Sequence, residues 1–472
     1  MGRVFEVSEG SDRLLSGWGR TSPSRSRVVA VRDVVEASTA LASPAPRGVL
    51  PRGLGRSYGD VAQNAGGVVL DMVGLSGIEA LDAHAGTLTA LAGTSLAAIL
   101  ERIVPAGWFL PVTPGTRFVT LGGAIANDVH GKNHHRDGGI GDHVVSFDLL
   151  APGGEVRTVT PTDDPATYEA TLGGLGLTGI ILRATIRLLS IETSRLRVDT
   201  DRVDHLDDLM GRMEANDASY RYSVAWIDAL ATGSHLGRGV LTRGDHAALG
   251  DLDAKDLRDP LGYAPKTLPS IPPGLPGLVT PLTAGAFNEA WFRKAPHCER
   301  GRIRPLAPFF YPLDAVGDWN RLYGRRGFVQ YQFLVPFGAE AVIYEVLRAL
   351  SAARCASFLA VLKRFGPGRG MLSFPSLGWT LALDIPAARP SLGGLLDRFD
   401  RRVADVGGRV YLAKDSRLDP TLLSTMYPDL DRWREVHARV DPHGLLRSDL
   451  ARRLELVDVR PRVELSHEGV GA

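Results

Sequence analysis

The stretch from Pro111 to His135, PVTPGTRFVTLGGAIANDVHGKNHH, constrains the fold more than any other part of the chain. A Pro-Gly turn at Pro114 and Gly115 leads to Thr120 in the place of a helix N-cap, with Gly122 and Gly123 in the first turn after it. Glycines at a helix start let backbone N–H groups approach an anion closely, and the helix dipole favours negative charge there. A polar cluster follows at once: Asn127, Asp128, His130, Lys132, Asn133, His134 and His135. Alone, the stretch reads equally well as a turn beside a solvated loop, because short glycine motifs are weak signals.

A second glycine-rich loop, PRGLGRSYGD at Pro51 to Asp60, follows a short predicted strand. Neither loop makes a dinucleotide site of the Gly-x-Gly-x-x-Gly type, which needs strand, glycine loop and helix in that order. Gly53-Leu54-Gly55-Arg56-Ser57-Tyr58 lacks the third glycine. Gly174 to Gly179 has the spacing but lies between a predicted helix (164–172) and a predicted strand (180–188), so it reads as a helix-to-strand turn. Two anion-type loops on a scaffold without that order point to an α+β fold.

At 472 residues the chain is too long for one ordinary core, so two domains are expected. With 54 basic against 53 acidic residues, nothing marks a nucleic-acid footprint. Two cysteines without a CxxC, Cys298 and Cys355, exclude a disulfide framework or a cysteine-held metal, and no metal site is expected. The first residues have no apolar h-region and no window is apolar enough to span a bilayer, so the expected location is cytoplasmic, with peripheral membrane contact.

Periodicity predicts strands near 27–31, 68–72, 78–81, 87–92, 144–150, 155–159, 180–188, 221–227, 237–242, 329–336, 357–364 and 379–385. It predicts helices near 33–42, 96–104, 164–172, 205–214, 339–353, 394–406, 422–427 and 430–440. Residues 260–281 carry too many prolines for regular structure and are expected to form a lid. Strand alternation sets Gln330 and Gln332 on one face of their strand and Thr380, Ala382 and Asp384 on one face of theirs, with Lys363 on a strand and Lys414 just past one; such a polar face on neighbouring strands also fits solvated surface.

The loop GLGRSYGD together with GGAIANDVHGKNHH resembles the FAD domain of the vanillyl-alcohol-oxidase-type flavoproteins. Many members attach the flavin through a histidine just before the serine of the first loop; Arg56 stands there, so the resemblance implies non-covalent FAD. The ordered set GWGR, PRGLGRSYGD, HGKNHH, GLTGII, QYQF, KRFGP, LSFP, AKDSR and ARRLEL, from Gly17 to Leu456, resembles the polyprenylphosphoryl-ribose 2′-oxidases of actinobacterial cell-wall synthesis. That resemblance implies a two-domain flavoprotein: an FAD-binding part over 1–190, a substrate-binding part with an antiparallel sheet over 191–407, and a segment 408–472 returning to the FAD domain. It implies oxidation of the ribose 2′-hydroxyl of a polyprenylphosphoryl-β-D-ribose to the 2′-keto sugar. This is the first half of an epimerisation to the arabinose donor for cell-wall arabinan, with an NADH-dependent keto-reductase as partner.

By the same resemblance Gly53, Gly55, Arg56, Ser57, Gly115, Thr116, Gly122, Gly123, Ala124, Asn127, His130, Ile181, Tyr411 and Lys414 line the FAD. Lys132, Trp226, Tyr311, Gln330, Gln332, Lys363, Thr380, Ala382 and Asp384 surround the substrate. The catalytic candidates are Lys414 as base, His130 as orienter or alternative base, and Tyr58. Thr380 and Ala382 stand where the family usually has an Asn-x-Cys pair, whose cysteine is captured by nitroaromatic inhibitors. A paralogous FAD-dependent sugar or alditol oxidase, and a non-catalytic flavin-binding subunit, are the competing readings.

Overall fold

A computed structural model describes residues 10–43, 45–355 and 357–457, organised around three main sheets. The outer ends of the expected FAD-binding part (1–9) and of the C-terminal segment (458–472) lie outside the described residues.

The first sheet has four strands in the order Ser11–Leu15, Ser24–Ala30, Val68–Asp71, Val49–Arg52. Its last three run parallel, joined on one side by the helix Val34–Ala42, which Asp33 caps through its side chain. The loop 53–60 therefore leaves the carboxyl end of a parallel strand, where open α/β sheets hold their ligands. The second sheet is antiparallel, in the order Ile78–Asp82, Thr87–Leu91, Ile180–Arg187, Val144–Leu150, Val156–Val159. Helices Leu96–Ile103 and Leu121–Ala126 pack on it, burying Leu96, Ile99, Leu100, Leu121 and Ile125 against Leu88, Ala90, Phe147 and Ala184.

The third sheet has eight antiparallel strands, in the order Cys298–Pro305, Arg195–Val203, Gly239–His246, Tyr222–Ile227, Ala360–Phe365, Gly378–Pro386, Phe328–Val335, Arg409–Val410. One face packs on helices Leu206–Asn216, Ala341–Ala352 and Leu392–Asp405. Ala225, Leu241, Leu362, Leu381, Leu383 and Phe333 meet Leu209, Met213, Ile343, Val346, Leu396 and Phe399 there. Truncating a fully buried ring such as Phe333 costs about 3–5 kcal/mol.

The C-terminal segment is stitched to the first sheet. Leu446 bridges Val49, Ser24 Oγ and the Ala65 N–H donate to Asp449, and Arg453 spans Asp60 (2.8 Å) and Asp415 (2.9 Å).

Several elements lie outside the sequence expectation, and three of them bear on the third sheet and its cavity. Arg195–Val203 is the strand next to the edge, and its buried Leu196, Val198 and Val203 are interleaved with charge. Its Asp201 is fully enclosed and takes Arg243 and Arg300 at 2.6 Å each, so ion pairs carry what apolar residues usually do. Cys298–Pro305 is an exposed, basic edge strand with no apolar signal. Pro281–Lys294 is a helix, and its signature was present: Thr280 caps it and Pro281 occupies the first turn.

Candidate active site

A cavity of about 840 Å³ lies between the two glycine loops and the uncovered face of the third sheet. On the loop side, glycine is required by contact. A Cβ on Gly53 would lie 2.2 Å from Thr120 Oγ1, so the two loops interlock there. Gly55 has φ +64°, the left-handed region, and a Cβ on it would strike the Arg52 guanidinium. At Gly115 nothing lies within 4 Å of the absent side chain, which leaves a recess in the wall.

The amides correct the expected anion site. The helix Leu121–Ala126 starts where the sequence puts it, capped by Thr120, but its first N–H groups are taken: Leu121 donates to Thr94 O, Gly122 to Ala92 O and Gly123 to Thr120 Oγ1. By contrast, the N–H groups of Leu54, Gly55, Arg56 and Ser57, and of Gly115 and Thr116, donate to no described residue. The open donors are thus in the loops, not at the helix end. Arg56 lies over Trp18, its guanidinium carbon 3.9 Å from the ring centroid, and its Nε is buried without a partner, as is Asn127 Oδ1.

On the sheet side, alternation delivers Gln330, Gln332, Ala382, Lys363, Val361, Trp226, Val224 and Val240 to the cavity. Gln332 Nε2 meets His130 Nε2 at 3.1 Å and donates to Thr380 Oγ1 at 3.1 Å, and the Thr380 hydroxyl donates to Phe333 O at 2.9 Å. Thr380 has one proton and spends it on Phe333, so Gln332 must present its amide nitrogen to it. Gln332 Oε1 and His130 Nδ1 are then left buried without partners. Gln330 Nε2 donates to Asp384 Oδ1, and Tyr411 donates to Asn127 O at 2.9 Å.

Three lysines and one carboxylate set the electrostatics. Burial, then the Lys363 charge, brings Lys414 down to about 7, against the opposing pull of Asp384. Burial raises Asp384 to about 7. The pair sits near the balance between its charged and neutral forms and titrates as a unit. Burial, helped by Lys363, lowers Lys132 to about 7, and burial alone lowers Lys363 to about 8. His130 is held neutral, its pKa lowered first by burial and then by Lys363 and Lys414. Lys414 Nζ stands 5.3 Å from the Tyr58 ring centroid and 5.7 Å from that of Tyr411.

The cavity wall brings together Gly53, Gly55, Arg56, Ser57, Tyr58, Gly115, Thr116, Gly122, Gly123, Asn127, His130, Lys132, Ile181, Trp226, Gln330, Gln332, Lys363, Ala382, Tyr411 and Lys414. Four expected residues stand behind it. Ala124 faces the core of its helix; Tyr311 is turned to Thr113, with 2.7 Å between hydroxyls; Thr380 lies under Gln332 and Asp384 under Gln330. They support the wall and do not form it.

The expected lid is also corrected. Residues 260–280 are irregular, but none lines the cavity; Leu268, Ile271 and Leu278 instead hydrogen-bond along 315–322, and the helix Pro281–Lys294 contributes Phe287 and Trp291 to the wall. Sequence reasoning also missed Asp314, Trp319 and Phe358 as wall residues; Trp18 lay inside the GWGR motif. Neither Cys298, which is exposed, nor Cys355, which is buried, lines the cavity.

Comparison with known proteins fits this geometry. A family profile described as FAD binding domain matches residues 26–160, and one described as D-arabinono-1,4-lactone oxidase matches residues 392–454. Decaprenylphosphoryl-beta-D-ribose oxidase of Mycolicibacterium smegmatis is 44% identical over 454 residues, covering 94% of this chain and 98% of that one. The chain belongs to the decaprenylphosphoryl-β-D-ribose oxidase family. An uncharacterised protein of Streptomyces coelicolor is 42% identical over 76% of this chain and 99% of its own length. Cytokinin dehydrogenase 10 of Oryza sativa is 31% identical over 35% of this chain and 31% of its own.

As a member of this family the chain is an FAD-dependent oxidoreductase with the expected α+β, two-domain flavoprotein fold. The wall fits the cofactor: open loop amides suit a pyrophosphate, the Gly115 recess admits close approach, and Asn127 Oδ1 and Arg56 Nε are unspent. No group of three or more His, Cys, Asp or Glu side chains among the described residues is placed to hold a metal ion. No helix among them is long and apolar enough to cross a membrane.

Proposed function

We propose that this enzyme oxidises the 2′-hydroxyl of a polyprenylphosphoryl-β-D-ribose to the 2′-ketone, the first half of epimerisation to an arabinose donor for cell-wall arabinan. The observation that carries this reading is the meeting of both glycine loops with Lys414 and Gln332 around one cavity, with Asp384 behind its wall, in a chain colinear with a decaprenylphosphoryl-ribose oxidase. Bound FAD supplies the hydride acceptor. Lys414, brought near neutrality by burial and by Lys363, accepts the hydroxyl proton. Gln332 Oε1, aimed by Thr380, orients the sugar, with neutral His130 beside it. Lys132 and Lys363 hold the phosphodiester.

Arg56 offers no nucleophile where related proteins carry the attaching histidine, so FAD is held without a covalent link. We assign FAD binding to residues 1–190 and 408–472 and substrate binding to 191–407. The keto product requires an NADH-dependent keto-reductase as partner, and the lipid substrate requires contact with a membrane surface.

Anaerobic flavin bleaching by a polyprenylphosphoryl-β-D-ribose, with unchanged spectra for free polyols, is the expected result. Bleaching by polyols or aldonolactones alone would establish the second reading, a small-sugar oxidase, which the match at residues 392–454 favours. Hydrogen peroxide yield separates oxidase from dehydrogenase. A flavin that no sugar bleaches would establish the non-catalytic subunit.

A further inference from the structure

The cavity face of the third sheet changes character from strand to strand. Phe328–Val335 and Ala360–Phe365 give it Gln330, Gln332 and Lys363. Further out, Tyr222–Ile227 gives Val224 and Trp226, Gly239–His246 gives Val240 and Thr242, and the two outermost strands give Thr200 and Arg304. Four strand steps separate Phe328–Val335 from Gly239–His246, a width of roughly 19 Å. The helix Pro281–Lys294 adds two rings to the wall, Phe287 and Trp291, stacked with centroids 6.0 Å apart, and Lys294 at its last turn.

That helix is anchored. Ala284, Asn288 and Phe292 are buried, and Asn288 donates to Asp228 and Ser357 O. The two rings are therefore held in place, yet each is 44% exposed, and Leu282 on the same helix is 81% exposed. An apolar lane so fixed and so open is costly in water and favourable when a flexible apolar chain covers it.

We propose that this lane seats the isoprenoid chain of the substrate, which rests on the reading of a lipid-linked sugar given above. The phosphate lies at the polar end beside Lys132 and Lys363, and the chain runs over Val224, Trp226 and Val240 and leaves past Phe287 and Trp291. Free polyols and lactones have no group that covers such a lane. The lane is continuous with the catalytic end of the same cavity, so the occupant must be joined to the reacting sugar.

The test uses the FAD-loaded enzyme and prenylphosphoryl-β-D-ribose substrates of increasing chain length, with sugar-free polyprenyl phosphate as a separate binding probe. From short to long chain, kcat/KM is expected to rise by at least about tenfold, the effect of covering about two methylene-sized groups. Phe287→Ser combined with Trp291→Ser should cut that gain to about twofold and weaken binding of polyprenyl phosphate. Val240→Asp, which puts a charge on the floor, is the second variant if the first loses its flavin. Bleaching at equal kcat/KM for all lengths overturns the lane and leaves the proposed reaction standing. Failure of polyprenyl phosphate to bind also overturns it. Binding that the variants weaken, with no ribosyl lipid oxidised, supports the lane and overturns the reaction.

Discussion

Two substitutions should move the pH dependence of flavin reduction in opposite directions. If Lys414 is the base, the rate follows its unprotonated fraction and rises with pH through a value near 7. Lys363 lowers that value and Asp384 raises it, with Lys363 the larger influence. Lys363→Met removes a cation, so the Lys414 ammonium becomes easier to keep and the limb moves to higher pH. A neighbouring charge is worth about one to three units in such settings. For a shift of about one unit the free-amine fraction at pH 7 falls from about one half to about one eleventh, roughly a fivefold loss of rate. Asp384→Asn removes the anion that favours the ammonium, and the limb moves to lower pH by a smaller amount. Its rate at pH 7 rises less than twofold, and its gain is seen below neutrality. Stopped-flow anaerobic reduction at saturating substrate isolates the group in the complex, so weaker phosphate binding by the Lys363 variant does not enter. Shifts in the same direction, or a limb that neither substitution moves, would refute the assignment of Lys414.

Lys414→Ala should keep FAD and lose about 10²–10⁴ of the reduction rate; bleaching near the unsubstituted rate would pass the role to His130. Acid precipitation should release the flavin into the supernatant, and colour retained in the washed pellet would mean a covalent link. Thr380→Val frees the Gln332 amide to turn and should move the His130 proton from Nδ1 to Nε2, read from ring ¹⁵N shifts; Thr380→Ser should keep the Nδ1–H form, and identical spectra for the valine variant would show that Thr380 does not orient the pair. Turnover with nitroaromatic compounds should leave no adduct on the unsubstituted protein, because Ala382 has no thiol and neither Cys298 nor Cys355 lines the cavity. Ala382→Cys should create the adduct, seen as added mass on the intact protein.

What was legible in the sequence follows from how local each feature is. The cap of Thr120, the placing of Gln330 and Gln332 on one strand face, and the rejection of a dinucleotide motif at Gly174 to Gly179 all rest on neighbours within a few residues, and the structure has each of them. The strand Arg195–Val203 was hidden because its partners for Asp201, Arg243 and Arg300, lie 42 and 99 positions away. The same distance problem explains the split between wall and support at the site. Alternation places Thr380, Ala382 and Asp384 on one face, but only the cross-strand register decides which side chains lie deeper. Gln332 covers Thr380 and Gln330 covers Asp384 because the long amides of Phe328–Val335 reach over the shorter residues of the neighbouring strand.

The helix Leu121–Ala126 shows how a correct local reading can yield the wrong chemistry. Its glycines were read as room for an anion, whereas a Cβ on Gly122 would lie 2.8 Å from Ala92 Cβ and its amide is bonded to Ala92 O. The glycine there serves the packing of helix on sheet. The donors left open are those of Gly115, Thr116 and, in the first loop, Leu54 to Ser57, and that first loop is held from behind by the other end of the chain. A Cβ on Gly59 would lie 1.7 Å from Asp415 O, the Tyr58 N–H bonds Ala413 O, and Arg453 ties Asp60 to Asp415. Lys414 lies inside this clamp. The residue expected to take the proton and the loop expected to hold the cofactor are therefore fixed to one another by backbone contact, and neither can shift without the other.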